Sequence, residues 1–181
     1  MNDLQFKVIP TLYNGIEFRS RLEARWALFM DLIGVKWAYE PEGYQIGGDK
    51  YLPDFFLYRQ NCFYEIKPAW PTNQEAKKCE SLAMATGRKV FLQHGPLLVP
   101  TGDVNEGALA YWRCDDGMPG SDITYLWAEC KKCGYCELQF EGRSARNSCR
   151  HYGPESNKEY NEDSPKLVRA YHLADSERFG T

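Results

Sequence analysis

Apolar positions along this chain change period from one stretch to the next. Leu22, Trp26, Phe29 and Ile33 recur at the spacing of one helix face, and Gly34 tolerates the positive φ that closes such a helix. The pattern predicts a helix over 21–33. Strand-like pieces follow at 36–39 and 44–46, and Gly47-Gly48-Asp49-Lys50 reads as a turn. Apolar runs at 51–58 and 62–67, separated by Arg59-Gln60-Asn61, predict an antiparallel strand pair. Thr72 and Glu75 have the spacing of a capping box before a second helix, Gly87 ends that helix, and 89–94 reads as another strand. Helix, strands, helix and strand together predict an α/β fold with a mixed sheet flanked by helices.

Three charged residues interrupt this apolar background. Asp54 sits in Tyr51-Leu52-Pro53-Asp54-Phe55-Phe56-Leu57, and Glu65 and Lys67 sit in Phe63-Tyr64-Glu65-Ile66-Lys67-Pro68. Moving a lone carboxylate out of water costs several kcal/mol, so an acid here implies a cation, a partner or an opening to solvent. Strand alternation puts Glu65 and Lys67 on one face, and antiparallel pairing brings Asp54 near Glu65. Two carboxylates beside an ammonium suit a hard divalent ion, Mg²⁺ or Mn²⁺, with Lys67 positioned to act on a bound water. That chemistry fits attack on a phosphodiester.

Pro53-Asp54 followed by Glu65-Ile66-Lys67 resembles the motif of the PD-(D/E)xK, or restriction-endonuclease-like, nucleases. Phe18-Arg19-Ser20-Arg21-Leu22-Glu23 resembles the start of that family's first helix, whose glutamate often adds a further metal or water contact. The resemblance covers about 13–94 and is nearest in kind to phage-encoded members and to end-cutting endonucleases of some transposons. It implies metal-dependent DNA cleavage leaving a 5′-phosphate, with Glu23, Asp54, Glu65 and Lys67 at the active site and Asp54 and Glu65 holding the metal.

Each residue also has a plainer reading. Ser20 and Glu23 have capping-box spacing, so Glu23 can serve the helix start alone. Glu65 and Lys67 can be an ordinary ion pair on a strand face. Glu40 and Glu42 read as solvated loop carboxylates. His94, at a strand end with no serine or cysteine constellation around it, reads as a satisfied structural histidine.

A second chemistry lies downstream. Cys130-Lys131-Lys132-Cys133-Gly134 has the form of a metal knuckle, and Cys149-Arg150-His151 supplies a second ligand pair after a hairpin-sized span. The spacing predicts a zinc ribbon with a structural Zn²⁺ on Cys130, Cys133, Cys149 and His151. Cys136 and Cys114 are alternatives to His151, while Cys62 and Cys79 read as small buried hydrophobes. Lys131, Lys132, Arg143, Arg146 and Arg150 outnumber Glu137 and Glu141 in this span, so the ribbon is expected either to contact DNA or to brace the fold.

The expected organisation is a nuclease core at 1–100, a connecting segment at 101–126 with one strand near 109–113, the zinc ribbon at 127–153, and a polar linker with a C-terminal helix at 154–181. That last helix is expected over 167–179. With 181 residues, 43% hydrophobic and 14% aromatic, the chain has enough core for one domain and a small module, and no apolar run approaches membrane-spanning length. The first residues lack a secretory signal, and seven cysteines then point to a reducing cytoplasm, the host's if the chain is phage-encoded. A net charge of -3 gives no overall field for nucleic acid, so local groups matter: Arg19, Arg21 and Arg25 at the first helix, Lys77 and Lys78 on the second.

The expected function is a metal-dependent DNA endonuclease, with RNA as an alternative substrate carrying the same phosphodiester. The rival readings are a catalytically silent DNA-binding protein on the nuclease fold and a phage factor that binds a host protein. A second copy of the chain is a further expected partner, and a membrane is not.

Overall fold

The computed structural model describes residues 8–101, 104–142, 148–149, 151 and 162–180, with the backbone alone for Asp49 and Val104. A hairpin of β1 (Thr11–Tyr13) and β2 (Ile16–Phe18) leads into α1 (Arg21–Ile33), then β3 (Trp37–Tyr39). A second hairpin, β4 (Tyr44–Ile46) and β5 (Asp49–Tyr51), precedes β6 (Phe55–Leu57) and β7 (Cys62–Lys67). After α2 (Asn73–Thr86) come β8 (Val90–His94), β9 (Ala108–Arg113), β10 (Pro119–Glu129), β11 (Cys136–Phe140) and α3 (Pro165–Ser176).

Seven strands form one mixed sheet in the order β11-β10-β9-β8-β7-β6-β3. Only β7 and β8 run parallel in it, and α2 is the crossover that such a pair needs. The sheet curls strongly. Gln60, in the turn between β6 and β7, accepts the Leu138 amide of β11 at 3.2 Å, and the Arg59 guanidinium lies 3.7 Å from the Tyr135 ring centre, although three strands stand between β7 and β11.

Alternation along β7 divides the core. Tyr64 and Ile66 face the cluster shared with α1 and α3, while Phe63 joins Val90, Leu92 and the Cys79, Leu82 and Ala83 face of α2. Phe29 of α1 stands 4.4 Å from the Tyr171 ring of α3, and Trp26 meets Tyr64 and Tyr171 edge-on. Burying each of these rings contributes roughly 1.5–3 kcal/mol. Both long helices have the ends their sequences predict. Ser20 Oγ accepts the Glu23 amide, Thr72 and Glu75 complete a reciprocal box, and Gly34 and Gly87 close the helices at φ 79° and 67°.

The structure differs from expectation in four places. The run 51–58 is two strands, because Pro53 has no N–H for a ladder and the chain bends at Leu52-Pro53-Asp54. Asp49 and Lys50 are not turn residues but begin β5, the turn being confined to Gly47 and Gly48. The segment 101–126 carries β9 and much of β10, so it contributes two sheet strands where one was expected. The final helix starts at Pro165 behind its Ser164 cap and stops at Ser176; Phe179 docks beyond it, edge-on to Tyr13 at 5.7 Å. Among the described residues no helix is long and apolar enough to cross a membrane.

Candidate active site and candidate metal centre

The bend at Pro53 puts Asp54 one position beyond the Phe55↔Tyr64 pair, directly opposite Glu65. Side chains complete the ladder that the strands abandon there. The Asp54 amide donates to Glu65 Oε2 at 3.2 Å, and the Ile66 amide donates to Asp54 Oδ2 at 2.8 Å. Lys67 Nζ, on the same face of β7 as Glu65, is 2.6 Å from Glu65 Oε1. Asp54 and Glu65 are 2% and 4% exposed, so both acids are buried at the base of a cleft of about 450 Å³. The structure therefore brings Asp54, Glu65 and Lys67 into contact.

Glu23 reaches the same cleft from the first turn of α1. Its Oε1 accepts the Ser20 hydroxyl at 2.7 Å and its Oε2 accepts the Tyr39 hydroxyl at 2.5 Å, so it both serves the cap and walls the cleft. Arg19 bridges the two sides. Its backbone N–H donates to Tyr39 Oη at 3.1 Å, its Nη2 pairs with Asp54 Oδ1 at 2.7 Å, and its Nε pairs with Glu40 Oε1 at 2.7 Å. Glu40, expected to be a solvated loop acid, is thus tied to the site; its backbone takes φ 44° and its N–H donates to the Asp54 carbonyl.

Electrostatics follow from this crowding. Burial and the facing Glu65 push the Asp54 carboxyl up to about 7, against the opposing pull of Lys67 and the Ile66 amide. Burial works against the Lys67 charge, but Glu65 and Asp54 outweigh it and raise its pKa. Lys67 is therefore an ammonium at neutral pH: it donates and attracts, and takes up no proton. Tyr51 also lines the cleft, its hydroxyl 3.7 Å from Cys79 Sγ; burial raises the tyrosine and pushes the cysteine up to about 12.

Arg19 was visible in the sequence only as one of several basic residues. Its place follows from Ser20: a residue just before a helix cap lies beside the first turn, so whatever cleft receives Glu23 also receives Arg19. Tyr39, Lys50 and Tyr51 carried no comparable signal. His94 proves incompletely satisfied, for its buried Nε2 has no partner and its ring packs edge-on against Trp70 at 4.6 Å.

The second site lies where β10 ends. Ligand atoms of Cys130, Cys133, Cys149 and His151 all lie within 4.8 Å of one another, and this group is able to hold a metal ion. Gly134, at φ 68°, turns the knuckle and donates its N–H to the Cys130 carbonyl at 2.7 Å. Burial works to raise the Cys130 thiol, yet the amides of Cys133 and Lys132 with His151 outweigh it and push it down to about 6. Burial and its thiol neighbours push Cys149 up to about 11. Cys136 faces inward, its Sγ 3.7 Å from the Gly134 carbonyl, and Cys114 lies in the β9–β10 turn; neither belongs to the group.

No family model and no curated protein matches this sequence.

The strands that carry the knuckle are the last two of the main sheet, and Trp127, Cys136 and Leu138 join the core shared with α1. Lys132 Nζ bonds the His151 carbonyl and Lys166 Nζ bonds the Gly134 carbonyl, which ties α3 to the cysteine knuckle. Arg143, Arg146 and Arg150, on which a basic ribbon surface depends, lie outside the described residues, as does the linker over 152–161.

Proposed function

We propose that this protein is a metal-dependent DNA endonuclease on a restriction-endonuclease-like core, with zinc at the cysteine cluster as a structural brace. The convergence of Asp54, Glu65 and Lys67 carries the reading. Burial first, and then the facing Glu65, hold Asp54 near 7, and a buried carboxylate pair so penalised is a fitting donor set for Mg²⁺ or Mn²⁺, since a hard divalent ion offsets both the lost hydration and the repulsion of the charged forms. Asp54 and Glu65 would hold the ion, and Glu23 would support it from α1. When bound, such an ion supplies a water of lowered pKa and neutralises charge on the phosphate.

The chain's own groups do the rest. Lys67 Nζ, kept charged by Glu65, donates to the attacking water and orients it for in-line displacement. The new bond joins that oxygen to phosphorus as the water gives up a proton to bulk solvent, the P–O3′ bond breaks, the leaving 3′ oxygen takes up a proton from solvent, and the phosphate stays on the 5′ side. Arg19, half exposed at the rim, has an Nη1 not used by Asp54 or Glu40 and would take a phosphate oxygen there.

Zinc suits the second site because three thiols and an imidazole converge there, one thiol already held low. A reducing cytoplasm is the compartment in which such thiols serve metal rather than disulfides.

One observation favours the catalytically silent reading. All four carboxylate oxygens of Asp54 and Glu65 already accept from protein donors, an arrangement that also suits a purely structural network. A panel of single-stranded, duplex, branched and RNA substrates with Mg²⁺, Mn²⁺ or EDTA tests both. Ion-dependent cleavage supports the nuclease, and binding without cleavage under every ion overturns it. Retention of a host protein in the absence of any nucleic-acid binding would instead favour a phage–host interaction protein.

A further inference from the structure

We propose that the cavity between the β4–β5 hairpin and α2 is a subsite for one unstacked nucleotide next to the bond being cut. The inference rests on the nuclease reading and names the substrate class: a strand whose base is free to leave the duplex.

The cavity, about 220 Å³, opens beside the acid cleft and shares two walls with it, Tyr51 and Lys78. A chain leaving the cleft along that shared wall enters it directly. Its volume falls below the roughly 300–1,000 Å³ of drug-sized sites, so it suits one ring system rather than a whole cofactor. Ile46 and Tyr51 give an apolar and aromatic surface; Lys77, Lys78, Gln74 and Ser81 of α2 give the polar one. A nucleotide has that same division, with an apolar ring at one end and an anion at the other.

The charge balance separates the two cavities. The acid cleft mixes Arg19, Lys50, Lys67 and Lys78 with Glu23, Asp54, Glu65 and Glu75, so its cations have acids to meet. The adjoining cavity has two lysines and, among the described residues that line it, no acid. Lys77 forms no ion pair among the described residues. Lysines 77 and 78 are adjacent on a helix and would ordinarily diverge; both reach this cavity because the hairpin folds over the helix, Ile46 and Tyr51 packing on the Cys79, Leu82 and Ala83 cluster. A base set against Ile46 and Tyr51 has left its stack, which a single strand or a frayed end allows far more readily than an intact duplex.

The test uses the full chain with Ca²⁺ replacing the catalytic ion and a fluorescein-labelled single-stranded DNA 12-mer, read by anisotropy across a salt series. Lys77→Ala should weaken binding 3- to 10-fold, about one phosphate contact, and lower the log K against log salt slope by about 0.7. Ser81→Phe, which fills the cavity without changing charge, should weaken binding to a similar degree and leave the slope alone. Lys36→Ala, at the end of the β3–β6 pair away from Asp54, is the charge-matched control and should change neither. Both cavity variants should lose less affinity for the same sequence in a duplex closed by hairpins at both ends than for the single strand, and the parent's hydrolysis of bis(4-nitrophenyl) phosphate, a diester with no neighbouring nucleotide, reports the nuclease reading separately.

No binding of the 12-mer, equal effects of Lys77→Ala and Lys36→Ala, or an unchanged affinity in Ser81→Phe overturns the subsite. Cavity-dependent binding with no hydrolysis of DNA or of the small diester keeps the subsite and rejects the nuclease.

Discussion

Arg19 grips Asp54 from the rim of the cleft: Nη2 stands 2.7 Å from Oδ1 while the arginine side chain is 54% exposed and the aspartate side chain 3%. The pair is unequal in what each partner can do. Arg19 can swing into water at little cost, whereas Asp54 stays buried with the Ile66 amide and Lys67 nearby. Solvent screens the arginine's contribution accordingly. Arg19→Ala should cost the metal-free protein about 1 kcal/mol at pH 8 by urea unfolding; a loss above ~3 kcal/mol would mean that the pair behaves as a fully buried one. In the nuclease reading the same variant should raise KM more than it lowers kcat.

Asp54 makes stability depend on pH in a defined direction. Its carboxyl is pushed up to about 7 in the folded chain from an ordinary value of 3.8, so folding favours its protonated form. The contribution is complete below about pH 4 and is lost as pH rises through about 7. In EDTA the urea midpoint of the parent should fall across that window, and Asp54→Asn, which keeps an acceptor for the Ile66 amide, should flatten this part of the profile. Added Mg²⁺ should restore the parent at pH 8 but not the variant. An identical slope in both proteins would remove Asp54 as its source.

Lys67 and Asp54 should separate chemistry from folding. In the nuclease reading Lys67→Ala removes the ammonium that orients the attacking water, and a loss of one such preorganised donor costs about 10²–10³ in kcat. On the same reading Asp54→Asn takes a carboxylate from the proposed ion's donor set and should reduce cleavage at least as much. Circular dichroism should show both variants folded. Full plasmid nicking by either one sinks the proposed assignment of roles.

Local signals carried much of this fold. Ser20, Thr72, Gly34 and Gly87 mark helix ends through backbone chemistry that needs no tertiary partner, and these ends fall where the sequence puts them. Asp54 and Glu65 were legible because a charge inside an apolar run must be compensated nearby. Arg19 and Tyr39 were not, since a single arginine or strand tyrosine has the same local pattern whether it meets solvent or a buried acid. The length of β10 escaped for a related reason. Its first part, Pro119 to Asp122, is largely exposed and polar or small, and is held in the sheet by pairing with β9 rather than by an apolar stripe of its own. Long-range curl is harder still: nothing near Gln60 announces that it will receive the Leu138 amide.

The cysteine cluster gives the last prediction, which turns on His151 against Cys136. Purified protein should contain one zinc per chain, and Cys149→Ser should lose it. Because Trp127 and Leu138 of the same hairpin sit in the main core, metal loss should loosen the end of β10 and β11 without unfolding the whole chain. A cost of about 2–4 kcal/mol corresponds to roughly 4–16 °C in Tm for a chain of this size. Cys136→Ser places a hydroxyl where the thiol is buried and should cost ~1–3 kcal/mol while leaving zinc bound. His151→Ala should instead lower zinc affinity with a smaller direct loss of packing, since His151 is exposed. Zinc content measured on the three variants decides the ligand set. Zinc lost from Cys136→Ser and kept by His151→Ala would exchange the two residues.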